Sequence, residues 1–323
     1  MQDIFGRTIN YLRVSITDRC NLRCVYCMPR EFARIPHDEI LRYEEVLRLC
    51  GTLAKLGVRN IRVTGGEPLT RRGCVNFIEK LKSLPNVENV TLTTNAVLLE
   101  PYIETLARLK ISGINISLDS LSPETFQNIT GRDDLAVVLK ALHTAIEAGL
   151  PVKINCVPIA GVNDNEIGSF AEMAERFPVF IRFIELMPTA VNADARHFSS
   201  EKILAVLKEK YPDLSQDPTK RGFGPARYFK SEKLIGGIAL IDAVSNHFCE
   251  SCNRLRLTSE GFLKLCLYHD EGLDLRALLR GGASDGEIEA AIKQAVLKKP
   301  ARHAFGSETA RTSGIKKMSR IGG

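Results

Sequence analysis

Between residues 11 and 210, six short β-branched runs alternate with six segments of helical period, and this alternation confines the chain to the parallel α/β class. The runs are YLRVSI (11–16), NIRVT (60–64), VTLTTN (90–95), INISL (114–118), VKINCVP (152–158) and VFIRFI (179–184). The segments between and after them, from YEEVLRLCGTLAKLG to SEKILAVLKEK, space apolar residues three and four apart, as a helix buried on one face requires. Six βα units are two short of a closed eightfold barrel, so an incomplete (βα)6 barrel is expected, its open side covered by later chain. The texture changes near DPTKRGFGPARYF, which predicts a boundary between residues 1–216 and 217–323.

Polar or small residues gather where these strands end: the loop after the first, Gly65-Gly66-Glu67-Pro68, Thr93-Thr94-Asn95, Ser117 with Asp119, and Glu185-Leu186-Met187. Parallel barrels place their chemistry on that rim. The loop after the first strand, CNLRCVYCMP, carries Cys20, Cys24 and Cys27. Three thiolates leave one iron of a [4Fe-4S] cubane open to a small molecule, whereas a structural zinc site is closed by four ligands. A zinc knuckle completed from elsewhere, for instance by His37, and three unrelated buried thiols are the alternatives.

A second group, HFCESCNRLRLTSEGFLKLC, supplies Cys249, Cys252 and Cys266, again three. A second cubane with an open iron fits this pattern, and so does a zinc site completed by His247 or His269. Arg254 and Arg256 alternate within the group and share one face of a strand, where paired guanidiniums suit phosphate oxygens. A solvated strand face is the alternative. Arg13, Arg62, Lys153 and Arg182 lie inside the β-branched runs themselves, and any that face inward need a partner.

Of the nine cysteines, six fall in these two groups, as metal ligands in a reducing compartment would. Cys50, Cys74 and Cys156 sit in periodic segments and read as small core residues. The N-terminus MQDIFGRTIN shows no apolar signal segment, and the apolar run LIGGIALI (234–241) is too short to span a bilayer, so a cytoplasmic protein without membrane association is expected. A net charge of +6 without Trp or basic-aromatic runs argues against nucleic acid.

The CxxxCxxC motif with Tyr26 before its third cysteine, together with the TGGEP element, resembles the radical S-adenosylmethionine superfamily. That resemblance implies a partial barrel of the superfamily's type, with Tyr26, Gly66, Glu67, Ser117 and Met187 binding S-adenosylmethionine. The longer matches LRVSITDRCNLRCVYCMP, TGGEPL, CxxCNRLRL with its distant third cysteine, and the terminal Gly322-Gly323 resemble the GTP 3′,8-cyclase family of molybdenum cofactor biosynthesis. They cover essentially the whole chain. By this resemblance the cofactors are two [4Fe-4S] clusters and S-adenosylmethionine, and the second cluster lies in a C-terminal region that covers the barrel's open side. GTP would be bound by Arg13, Arg62, Thr93, Lys153, Arg182, Arg254 and Arg256. Arg13, Arg254, Arg256 and the threaded Gly322-Gly323 would act in catalysis. The expected partners are GTP, an external electron donor, a downstream cyclic pyranopterin monophosphate synthase and a second copy of the chain in a homodimer. The rivals are a peptide-modifying enzyme of the same superfamily with an auxiliary cluster, and a zinc-binding nucleic-acid module. One departure stands out: strand three ends TTNA where the family has TTNG, which puts the backbone at Ala96 in question.

Overall fold

The computed structural model describes residues 1–28, 34–188 and 196–303. All six expected strands form: β1 (Tyr11–Ser15), β2 (Asn60–Thr64), β3 (Asn89–Thr94), β4 (Gly113–Ser117), β5 (Val152–Cys156) and β6 (Phe180–Ile184). The periodic segments become α1 (Tyr43–Lys55), α2 (Cys74–Lys82), α3 (Ile103–Arg108), α5 (Leu135–Glu147), α6 (Ile167–Arg176) and α7 (Ser200–Lys210). An eight-residue helix, α4 (Pro123–Thr130), is interposed after β4. It starts on Ser122, whose side chain accepts from the Thr125 N–H, and stops at Gly131 in the left-handed conformation (φ 74°).

Two compact units divide the chain by contact, one of residues 1–21, 27–93 and 249–323, the other of 22–26 and 94–248. The boundary at 216/217 is a division by sequence texture and follows a different criterion.

In the first unit β2 pairs parallel with both β1 and β3. The free edge of β1 is covered by β10 (Arg254–Leu257), also parallel, followed by the antiparallel β11 (Phe262–Lys264) and β12 (Gly272–Asp274). Two helices complete it, α8 (Leu275–Arg280) and α9 (Asp285–Leu297), the latter opened by a Ser284–Glu287 capping box. In the second unit β5 pairs parallel with β4 and β6. The outer edge of β6 is covered by parallel β9 (Gly237–Ile241), then antiparallel β8 (Arg227–Lys230) and β7 (Ser215–Asp217). Strands from the C-terminal third thus cover one edge in each unit, as an incomplete parallel sheet demands.

Alternate strand residues face helices or the opposite side. Leu12, Val14, Ile61, Val63 and Leu92 are at most 1% exposed, each such buried side chain contributing about 1.5–3 kcal/mol. Cys50, Cys74 and Cys156 are buried core thiols, and burial pushes Cys50 up to about 12. The other face of the strands carries the polar residues.

Candidate functional site

The cysteine loop leaves the C-terminal end of β1, and all three of its thiols are half-buried. In the first unit its start is fixed against the Gly65-Gly66 turn: the Gly66 N–H donates to Thr17 O and the Glu67 N–H to Arg19 O, both at 2.7 Å. A Cβ on Gly66 would stand 2.3 Å from Arg19 O, and one on Gly65 2.7 Å from Thr17 O. The space beside both glycines is taken by backbone at the start of the loop. Glu67 is 1% exposed and accepts from the Leu69 N–H.

In the second unit the middle of the loop is held by α4. The N–H groups of Arg23 and Val25 donate to Thr130 O and Ile129 O at 2.8 and 3.0 Å, satisfying carbonyls that the helix end leaves open. The Tyr26 hydroxyl donates to Asp119 Oδ2 at 2.6 Å, while Asp119 Oδ1 accepts from the Val157 N–H at 2.8 Å. Burial raises the Asp119 carboxyl to about 6 against the pull of these two bonds. Asp119 was visible at a strand end, yet nothing in the sequence paired it with Tyr26. Ser117, at the end of β4, and Met187, just after β6, are half-buried. Between them in chain order, buried Glu185 gathers the N–H groups of Ser200, Val244 and Ser245.

The first unit also gathers the arginines. Arg62, Arg13 and Arg256 occupy one lateral row across β2, β1 and β10, and Arg254 precedes Arg256 on the same face. Burial lowers Arg13 well below the usual arginine range, and Arg256, Arg62 and Arg254 lower it further. Burial and Arg254 bring Arg256 down to about 10. Among the described residues neither Arg13 nor Arg62 has a hydrogen-bonding or carboxylate partner, and the enclosed Nε of each, with Thr93 Oγ1, is unsatisfied. The Arg62 guanidinium lies 5.6 Å from the centroid of the Tyr11 ring. Arg256 is buried and Arg13 and Arg62 are half-buried, and such a row of like charges can take an anion.

Next to this row stand the second-group thiols. Burial raises Cys249, the His303 N–H pulls against it, and the Cys266 and Cys252 sulfurs raise it again. Burial raises Cys252 too, but Arg254 and Lys299 outweigh it and bring the thiol to about 7, a value at which it is readily a thiolate. Arg254 donates to that sulfur through its backbone N–H and its side chain. Among the described residues no three His, Cys, Asp or Glu side chains converge on a point, as a single zinc ion requires. His269, a candidate zinc ligand, has its Nε2 3.2 Å from Arg302 O. The Cys252 and Cys266 sulfurs both act on the Cys249 thiol, so the three lie near one another.

In the second unit Arg182 donates to Asn115 Oδ1. Lys153 donates to Arg221 O and, at 3.2 Å, to the Tyr228 hydroxyl. Gly322 and Gly323 lie outside the described residues.

Residues 14–174 match the family model described as the Radical SAM superfamily, and residues 179–305 match Molybdenum Cofactor Synthesis C. The chain is 44% identical over 309 residues to the GTP 3′,8-cyclase of Heliobacterium modesticaldum, covering 94% of each chain. It is 43% identical over 332 residues to that of Syntrophomonas wolfei, covering both completely. The chain belongs to the GTP 3′,8-cyclase family. Within the radical S-adenosylmethionine superfamily its fold is also that of Streptococcus suis SuiB, solved bound to S-adenosylmethionine, with a TM-score of 0.66 at 14% identity over 98% of this chain and 76% of that one. Membership implies a [4Fe-4S] cluster and S-adenosylmethionine. No helix among the described residues is long and apolar enough to cross a membrane.

Proposed function

We propose that this chain cyclises GTP to 3′,8-cyclo-7,8-dihydro-GTP in molybdenum cofactor biosynthesis, with two clusters of unlike duty. The observation that carries the reading is the Arg62–Arg13–Arg256 row, three cations side by side next to a cysteine trio, in a chain whose relatives are GTP 3′,8-cyclases. A triphosphate supplies the charge that the row lacks.

Cys20, Cys24 and Cys27 hold the first cluster, and Tyr26, Gly66, Glu67, Ser117 and Met187 hold S-adenosylmethionine. Together these groups supply one-electron chemistry that removes a ribose hydrogen at C3′. Cys249, Cys252 and Cys266 would hold the second cluster, which would supply a binding point for the guanine base. Arg13, Arg62, Arg254 and Arg256, with Thr93, Lys153 and Arg182, take the nucleotide and fix its ribose against the hydrogen-abstracting group. Arg13, Arg254 and Arg256 also stay with the cyclising ligand as its charge redistributes, and Gly322 and Gly323 act in catalysis with them. The Asp119 carboxylate orients the Tyr26 ring. The protein works in the cytoplasm as a homodimer, draws electrons from an external donor and hands its product to cyclic pyranopterin monophosphate synthase.

Anaerobically reconstituted protein incubated with GTP, S-adenosylmethionine and dithionite should form 5′-deoxyadenosine and a cyclised nucleotide together. Deoxyadenosine with intact GTP would sink the substrate assignment and leave the radical chemistry standing. Deleting Gly322-Gly323 should leave iron content unchanged and stop cyclisation.

A further inference from the structure

Lys299 leaves the end of α9 and turns inward until only 2% of it is exposed. Its ammonium donates to Arg254 O at 3.0 Å and to Leu265 O. Those two carbonyls flank the second cysteine group: Leu265 is bonded to Cys266, and Arg254 follows Cys252 by two residues and donates to its sulfur. One buried amine therefore ties together the two segments that carry the second and third thiols. Among the described residues Lys299 makes no ion pair with a carboxylate.

A buried ammonium satisfied only by neutral carbonyls is costly, because burial removes water without returning a counter-charge. The groups able to supply that charge are the thiolates themselves, since the Cys252 and Cys266 sulfurs are the anionic groups that Lys299 feels most strongly. A neighbouring cation completes the frame at the first thiol. Arg7, held by Asp3 at 2.6 Å, donates to Cys249 O and to the carbonyls of Pro300 and Ala301, the two residues after Lys299. The chain from 299 to 301 is thus pinned to all three cysteine segments by backbone carbonyls and two buried positive charges, Lys299 and Arg7.

We infer that Lys299 is the resident counter-ion of the second cysteine centre, a positioning residue that holds the Cys252 and Cys266 segments at cluster spacing and raises the potential of what they bind. The inference rests on the reading of that centre as a [4Fe-4S] site. An electron added to a thiolate-bound cluster is stabilised by a fixed positive charge nearby, so removing the charge makes reduction harder.

The test compares wild type, Lys299→Met, Lys299→Gln and Lys299→Arg as full chains reconstituted anaerobically. Iron and acid-labile sulfide are counted per chain, and the cluster potentials are titrated by electron paramagnetic resonance. Wild type should hold about eight irons in two clusters. Lys299→Met should fall toward about four irons, or keep eight with the second cluster's potential shifted negative, while Lys299→Arg stays near wild type. Lys299→Gln keeps N–H donors for the carbonyls without the charge, so it should keep its iron and still show the negative shift. Iron at Cys20, Cys24 and Cys27 reports on the fold; if Lys299→Met loses that as well, Lys299→Gln decides alone. A second-cluster potential in Lys299→Gln equal to wild type overturns the counter-ion role. Only about four irons in wild type would instead overturn the second-cluster reading itself.

Discussion

Replacing Arg13 with methionine should stabilise the ligand-free chain and at the same time erase its response to GTP. Arg13 sits between Arg62 and Arg256 in one row, on strands about 4.8 Å apart. Guanidiniums in such a row stand about 5–7 Å from their neighbours, and at an effective dielectric of about 20 each pair repels by about 2–3 kcal/mol. Among the described residues Arg13 has no hydrogen bond to lose, and its Nε is already unsatisfied. Exchanging a poorly compensated buried charge for an apolar side chain of similar length gains about 1–4 kcal/mol, and the half-buried Arg13 should fall toward the lower end. At about 2–4 °C per kcal/mol, the ligand-free variant should melt several degrees above wild type. Calorimetry with and without millimolar GTP reads both halves: wild type rises with nucleotide, and Arg13→Met starts higher and does not rise. A variant that melts below wild type without GTP, yet is still raised by it, would refute the argument that the row is a strained anion site.

Two further outcomes follow from single residues. Ala96 is fully buried with φ at 64°, a conformation costing a non-glycine residue about 1–2 kcal/mol. Relief of that cost in Ala96→Gly is offset by a lost methyl contact and added backbone freedom, so denaturant melts should move by less than about 1 kcal/mol. Ala96→Val, β-branched at positive φ, should lose about 3 kcal/mol or more, and a silent Val variant would contradict the turn geometry. Asp119 titrates near 6 in the folded chain instead of its usual 3.8, a gap of about 3 kcal/mol. The folded state holds this proton more tightly than the unfolded one, so the stability it contributes is present below about pH 4 and lost as pH rises to about 6. Asp119→Asn should flatten that slope in urea melts from pH 4 to 7; parallel slopes in the two proteins would rule the effect out.

The six parallel strands were legible because β-branched runs and helical periods alternate without ambiguity, and each cysteine group declared itself by spacing alone. α4 was missed although Ser122-Pro123 and Gly131 mark its start and stop, because eight residues are too few to establish a period. That helix holds the backbone of the first cysteine loop. The glycines at 65 and 66 signalled a close approach, but sequence cannot say whether a ligand or the chain itself makes it. Lys299 and Asp119 act through partners 34 to 93 positions away, and no local pattern encodes such pairings. Ala96 was flagged by its departure from a pattern, and the positive φ explains why glycine is the ordinary choice there.

The pairing of β1 with β10 also governs the order in which the chain can fold as it is made. Tyr11 lies opposite Arg254, so the edge of the first strand stays bare until some two hundred and forty further residues have been synthesised. β6 meets its neighbour β9 after fewer than sixty, with Phe180 opposite Gly237. During translation the second unit can therefore close early, whereas the first waits for nearly the whole chain and bears the larger loop-closure entropy. A stalled or truncated product would present β1 as an unpaired template for other strands, the state most prone to aggregate. Poor recovery of C-terminally shortened forms would on this view reflect a missing edge strand before any missing chemistry.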